Sequence, residues 1–366
     1  VYLGARKGHA SSADLRAESI AACVDRALDI ARYTREDGAN GLADPALLAR
    51  AFPDLDLWHP VPLDAEAAIE RARVCEEAGR SDSRISNSEG ASFEGGLGLG
   101  VYANSNGFIG RSSGTRFSQV CALLAGKGEG MQRDYSYDSR RSLADLEPAE
   151  ETGAEAARRT VRRLGSRRLP TGKMPVLLAP EIATGLVGHL ASAVSGSSLY
   201  RNVSFLKDAA GDSLFQSWVT ITENPLLPRG AGSAAFDSEG VATRERKLID
   251  RGVLTGYALS SYSARRLGLQ TTGNAGGMRN LTLEPGGASD GDLISEMSDG
   301  LLVTEVMGHG VNLVTGDYSR GAAGFRVIDG QIAYPVEEVT IAGNLRDMFR
   351  DLAAAGPDID TRGNIR

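Results

Sequence analysis

From Arg84 to about Asp138 the sequence alternates polar and apolar residues with period two. Ser88-Glu89-Gly90, Asn104-Ser105-Asn106-Gly107 and Gly126-Lys127-Gly128 punctuate it. Alternation between turn signals is the signature of an antiparallel meander. Glycine supports the same reading along the whole chain. It supplies 45 of 366 residues, against a usual ~7%, and has no fixed period. That excludes a collagen-like chain and leaves a turn-rich, β-rich protein.

Helical periodicity flanks the meander. Asp14 precedes a stripe of Ala17, Ile20, Cys23/Val24, Ala27/Leu28 and Ala31. After a connector over 34–63, which holds a short helix begun by Asp44-Pro45, a second helix is expected from Asp64 to about Ala78, with Gly79 as its C′ residue. A third is expected from about Pro148 to Leu164. It ends in Arg158, Arg159, Arg162, Arg163, Arg167 and Arg168. The run reads either as a site for an anionic partner or as a solvated helix end that complements its own dipole. The net charge of −7 favours the second, and argues equally against a nucleic-acid or anionic-membrane footprint.

Pro170-Thr171-Gly172 marks a boundary. The expected organisation is α+β. A region 1–170, breaking near 35–63, combines helices with the meander. A region 171–366 is mostly antiparallel β and carries one prominent helix, Pro180 to about Ser195, straight after a strand at Met174–Leu178. Further strands are expected at 215–222, 243–259, 300–316 and 323–342. Asp250-Arg251-Gly252 and Asp329-Gly330 read as hairpin turns. The chain opens at Val1-Tyr2-Leu3, in mid-strand and without Met, so it looks trimmed.

Several chemistries lack their anchor residues. Cys23, Cys75 and Cys121 are far apart and show no CxxC spacing, so they read as reduced, buried thiols suited to a cytoplasm. No run approaches the ~18 apolar residues of a membrane span. Gly98-Leu99-Gly100-Val101-Tyr102-Ala103 matches GxGxxA, but its flanks alternate like strands, where a dinucleotide site needs a helix. No GxxxxGK[ST] or GxSxG motif is present.

The histidines are His9, His59, His189 and His309, none near another. His309, in Gly308-His309-Gly310, reads as a hydrogen-bonded structural residue rather than a ligand. His189 lies on the 180–195 helix. Ile182, Leu186, Leu190 and Val194 give that helix a buried stripe; Gly185, Gly188, Ser192 and Ser195 give it a small-residue face where another backbone can approach. A metalloprotease uses such a helix to hold two histidines and a general-base Glu. Thr184 and Gly185 stand where the first His and the Glu would be. Neither can ligate zinc as an anion or imidazole, and one imidazole is too few.

This helix resembles that of the TldD/PmbA family, also called modulators of DNA gyrase, in its PmbA (TldE) branch. The resemblance continues through Ser197-Ser198-Leu199-Tyr200-Arg201, Phe236-Asp237-Ser238-Glu239-Gly240, Thr272-Gly273-Asn274-Ala275-Gly276-Gly277, Gly316-Asp317-Tyr318-Ser319-Arg320-Gly321 and Tyr334-Pro335 to Gly343-Asn344. It implies a two-subunit cytoplasmic zinc metalloprotease, a hydrolase acting in proteolysis of unfolded or extended peptides. The TldD-like subunit carries HExxxH and a distant Cys ligand. On that motif, Thr184 and Gly185 replace His and Glu, only His189 survives, and the Cys falls near Arg362-Gly363. The expectation is therefore a non-catalytic subunit with no metal of its own, paired with a zinc-bearing TldD-like chain. Two alternatives stay open: a free-standing peptide-binding or regulatory homodimer, and a metallopeptidase whose site is assembled from His189, His309 and carboxylates. Thr272, Gly273, Asn274, Asn280 and His309 are the candidates for a peptide groove. For Asn274 and Asn280 the competing role is holding their own Gly-rich loop.

Overall fold

The computed structural model describes residues 1–287 and 292–366. In chain order these form β1 (Tyr2–Leu3), β2 (Arg6–Lys7), α1 (Ala17–Tyr33), α2 (Ala65–Arg80), β3 (Ile85–Ala103), β4 (Ile109–Ala125), β5 (Gln132–Arg140) and α3 (Ala149–Val161). Then come β6 (Val176–Leu178), α4 (Pro180–Ala193), α5 (Gly196–Tyr200), β7 (Ile221–Glu223), β8 (Arg246–Asp250), β9 (Val253–Leu254), α6 (Ser261–Leu267), β10 (Leu281–Leu283) and β11 (Gly286–Gly287). Last are α7 (Leu293–Met297), β12 (Gly300–Met307), β13 (Asp317–Ile328), β14 (Gln331–Asn344), α8 (Leu345–Arg350) and β15 (Ala354–Ala355). The fold is α+β.

The meander is present as the antiparallel sheet β3-β4-β5. The Ser88-Glu89-Gly90 segment is a correction. It does not turn the chain but forms a bulge inside β3, with Gly90 at φ +105° and the register shifting around it. The residues matching GxGxxA lie in β3, in a β-strand rather than at the start of a helix.

Helices α2 and α3 pack together over a core of Cys75, Cys121, Leu123, Ala156 and Ala157. Asp64 caps α2 by accepting from the Ala67 N–H at 2.7 Å. Gly79 is a second correction. It sits within α2, not beyond its end, because a Cβ there would lie 2.7 Å from Leu123 Cδ1 and 3.0 Å from the Gly153 carbonyl oxygen. A Cβ on Gly153 would in turn overlap the Cys75 carbonyl oxygen. Both glycines exist to let the helices cross closely. On α1 only the Ala27 and Ala31 end of the expected stripe is buried, against the β1–β2 hairpin, while Ile20 and Val24 stay half exposed. That hairpin turns at Gly4, not at Lys7-Gly8.

The C-terminal half holds the sheet β14-β13-β12-β6 and a smaller one, β10-β7-β8-β9. Pairing is antiparallel except that β6 runs parallel to β12, so the chain crosses over through α4. Asp329 and Gly330, at φ +49° and +71°, turn β13 into β14 as expected. The strands expected at 215–222 and 243–259 shrink to the short β7, β8 and β9. Pro225, Pro228, Gly230 and Gly232 lie in the irregular stretch between β7 and β8, where missing N–H groups and loose backbones disfavour a ladder. Helix α4 buries Val187, Leu190, Ala193 and Val194 in a core with Leu206, Phe215, Ile221, Leu248, Leu281 and Phe349. No helix among the described residues is long and apolar enough to cross a membrane.

The arginine run at the end of α3 divides: Arg158, exposed and paired with Glu155 on its own helix, fits the solvated reading, and the others do not. Arg159 and Arg163 are only 12% exposed. They lie 3.5 Å from Asp134 and reach into the C-terminal half, to Glu181 at 2.8 Å and Glu305 at 2.5 Å. Arg162 stacks over Phe325 and Arg167 over Tyr334, and Arg168 pairs with Glu338. The run fastens the two halves of the chain together, through pairs that no linear spacing reveals. At the far end, Phe108 after the β3–β4 turn meets Phe236 edge-on at 5.4 Å.

Candidate functional site

The candidate site is built on α4. Pro180 occupies its first turn, where the absent N–H costs nothing and the fixed φ suits a helix. Leu178 and Ile182 pack on the core of the β14-β13-β12-β6 sheet, and Leu190 and Val194 pack on the opposite core. The helix is thereby held in orientation along its length.

Thr184 is half-buried, and its hydroxyl donates to the Glu181 carbonyl at 2.8 Å. Gly185 faces open space: a Cβ there would meet nothing within 4 Å. At Gly188 a Cβ would meet only Ile365 Cδ1, at 3.5 Å. No backbone of this chain among the described residues presses against this small-residue face. What lies beside Gly188 is the Ile365 side chain of the 361–366 segment.

That proximity has a consequence for the site. The segment resembling the family's cysteine position runs beside the helix that resembles its histidine position. Arg362 pairs with Asp360 at 2.8 Å, donates to the Tyr137 carbonyl at 3.0 Å and lies over the Tyr137 ring at 4.2 Å.

His189 is half-buried and meets Tyr318 edge-on, with ring centroids 5.9 Å apart. Burial, and then the nearby Arg320 guanidinium, hold its pKa below the ordinary imidazole value. It is therefore neutral at pH 7. Among the described residues no group of three or more His, Cys, Asp and Glu is placed to share a metal ion. Catalytic zinc takes three protein ligands and an open position. A hydroxyl already donating to a carbonyl, a glycine and one imidazole do not fit it.

The groove candidates separate. Thr272 and Asn274 share a network: the Thr272 hydroxyl accepts from the Leu259 N–H and donates to Asn274 Oδ1, both at 2.7 Å. Asn274 Nδ2 donates to Glu223 at 2.7 Å. Gly273 has φ +74°, and a Cβ would come within 2.7 Å of the Ala242 carbonyl oxygen. Asn280, fully buried at φ +48°, donates to the Asn224 carbonyl and to Ser233 Oγ, and accepts from the Gly232 N–H. Asn274 bonds to Thr272 of its own loop, as the competing reading had it, whereas Asn280 braces the separate 224–233 stretch. His309 is elsewhere, exposed on the loop after β12, where the Ser319 N–H donates to the neighbouring Gly310 carbonyl.

Sequence reasoning missed the acids that organise these loops. Glu223, 2% exposed, pairs with Arg246 at 2.8 Å and accepts from Asn274 and from the Arg279 N–H. Asp237 accepts from the N–H groups of Ala275, Glu239 and Val241. Burial nonetheless raises its pKa above the usual carboxylate value. Asp237, ahead of the Gly240 turn, carried a local signal; Glu223, in an ordinary strand pattern, carried none.

Residues 171–366 match the sequence model of the PmbA/TldA metallopeptidase C-terminal domain, and residues 58–164 that of the PmbA/TldA metallopeptidase central domain. Metalloprotease PmbA of Escherichia coli O157:H7 is 49% identical over 367 residues, covering 100% of this chain and 82% of that protein. The PmbA homolog of Haemophilus influenzae is 44% identical over 370 residues, with the same shares covered. A solved Bacteroides thetaiotaomicron structure that carries the name modulator of DNA gyrase superposes with a TM-score of 0.93 at 31% identity, covering 100% of this chain and 84% of that one. TldE from Thermococcus kodakarensis superposes with a TM-score of 0.80 at 21% identity, covering 95% and 81%, a likeness of fold alone.

Proposed function

The chain belongs to the PmbA/TldD metallopeptidase family, and from that premise we propose that it is the non-catalytic subunit of a two-subunit cytoplasmic zinc protease acting on unfolded or extended peptides. The observation that carries this reading is α4 itself. Ile365 lies beside Gly188 of this helix, and Thr184 and Gly185 supply neither a zinc ligand nor a base. Zinc and the general base then belong to a TldD-like partner carrying HExxxH. This chain contributes surface: β3 is an edge strand of its sheet, with Leu97, Leu99 and Val101 exposed. An open strand edge suits main-chain pairing with an extended peptide or a partner strand.

Co-purification of the tagged protein from its own cells tests the reading. A companion chain with HExxxH, and peptidase activity only when both are present, is the expected result. A homodimer that binds peptide without any companion would establish the regulatory alternative. Proteolysis by the isolated chain, abolished by a chelator, would establish the metallopeptidase alternative.

A further inference from the structure

Six arginines line one cavity of about 290 Å³ at the junction of the two halves, between the ends of β4 and β5, the loop at 228–231 and the 361–366 segment. We propose that this cavity binds a small oxyanion, a carboxylate or phosphate group, through Arg116, Arg141 and Arg366. The inference is independent of the proposed protease role.

The charge pattern carries it. Three of the six guanidiniums are matched by carboxylates: Arg140 by Asp138 at 3.0 Å, Arg362 by Asp360 at 2.8 Å, and Arg229 by Asp56 and Asp145 at 2.5 and 2.6 Å. The other three have no carboxylate in ion-pair contact among the described residues. Arg116 Nε donates to the Ser139 hydroxyl at 2.9 Å. Arg141 donates to the carbonyls of Thr115, Gly230 and Ala231, which fixes its fork but leaves its charge uncompensated. Arg366 Nε is buried with no hydrogen-bond partner among the described residues.

In a chain of net charge −7, unmatched cations gathered in one concavity are a local inversion. Burial, and then the neighbouring guanidinium of Arg116 for Arg141 and of Arg140 for Arg366, depress both pKa values. The groups repel one another and stay charged at neutral pH. A bound oxyanion relieves that repulsion. The planar guanidinium fork accepts carboxylate and phosphate oxygens two at a time, and the Thr361 side chain also lines the cavity.

Calorimetric titration of the full-length protein at low ionic strength tests the site with two probes. The first is inorganic phosphate, with chloride at matched ionic strength as the control. The second is acetyl-Gly-Gly with a free C-terminal carboxylate, against its amide. Saturable binding of phosphate alone assigns a free anion, and binding of the peptide acid but not the amide assigns a chain terminus; either upholds the proposal. Arg116→Gln, on an exposed side chain whose one hydrogen bond is to a hydroxyl, is expected to fold normally and to weaken binding about tenfold, the effect of one charge-assisted hydrogen bond. Arg366→Gln serves as the second variant. Absence of saturable binding by both probes, or binding unchanged in both variants, overturns the proposal.

Discussion

The guanidinium of Arg159, near the end of α3, lies 2.8 Å from the carboxylate of Glu181 in the first turn of α4. This pair joins the N-terminal half to the helix that carries Thr184, Gly185 and His189. It is set beside Asp134, which is 5% exposed and also faces Arg159 and Arg163. The orientation of α4 and the packing of the two halves are therefore coupled.

Removing Arg159 should be costly. Arg159→Ala leaves Asp134 buried with one fewer cation, and breaking a buried pair from one side costs roughly 3 kcal/mol or more. Glu181→Gln keeps the volume and a hydrogen-bond acceptor, and should cost about 1 kcal/mol. Denaturant unfolding of both single variants and the double variant measures the coupling. A cost below about 0.5 kcal/mol for Arg159→Ala would show the network to be ornamental.

Two helical glycines should respond with opposite signs. Gly185→Ala introduces a Cβ into open space, so helix propensity alone acts and stability rises by about 1 kcal/mol. Gly153→Ala drives a Cβ into the Cys75 carbonyl, and overpacking of this kind costs about 1–3 kcal/mol. Unfolding midpoints of the two variants check both. A destabilised Gly185→Ala would mean that something covers α4 at that point.

Histidine 189 should impose a pH dependence without a catalytic role. Its pKa is lower in the folded protein than the ordinary 6.5. Between those two values the unfolded chain binds a proton that the folded chain does not, so folding stability falls as pH drops through that window and is fully restored above it. His189→Asn should flatten that part of the stability–pH curve. In the reconstituted complex the same variant should keep its activity within a fewfold, whereas loss of a general base costs ~10² or more. A loss of that size in a folded, paired variant would restore His189 to the catalytic machinery.

Metal removal should leave the isolated subunit unchanged. Thr184 and Gly185 withhold the donors that zinc needs, so elemental analysis after dialysis should find far less than one zinc per chain, and a chelator should not lower the melting temperature. One tightly held zinc per chain, bound with ~10 kcal/mol or more, would overturn this.

Asn274 should be a stability residue. Asn274→Ala takes a donor from the buried Glu223 carboxylate and an acceptor from Arg246. Orphaning buried polar groups costs about 1–3 kcal/mol. A variant of unchanged stability that fails to bind peptide would instead return Asn274 to the groove.

Local physical chemistry was legible in the sequence. Period-two alternation marked β3, β4 and β5, Asp64 marked the start of α2, and Asp329-Gly330 marked the hairpin of β13 and β14, because each depends on residues adjacent along the chain. The presence of Thr184 and Gly185 ahead of His189 was legible too, since it is a matter of residue identity. Only the tertiary structure decided what adjacency cannot express. It made Gly79 and Gly153 the crossing point of two helices, turned the arginine run into a clasp across the halves, and brought Ile365 beside Gly188. It also tied Asn274 to Glu223, 51 residues away. A buried charge or a missing Cβ takes its meaning from its neighbours in space, and those neighbours come from distant segments that burial of the apolar core draws together.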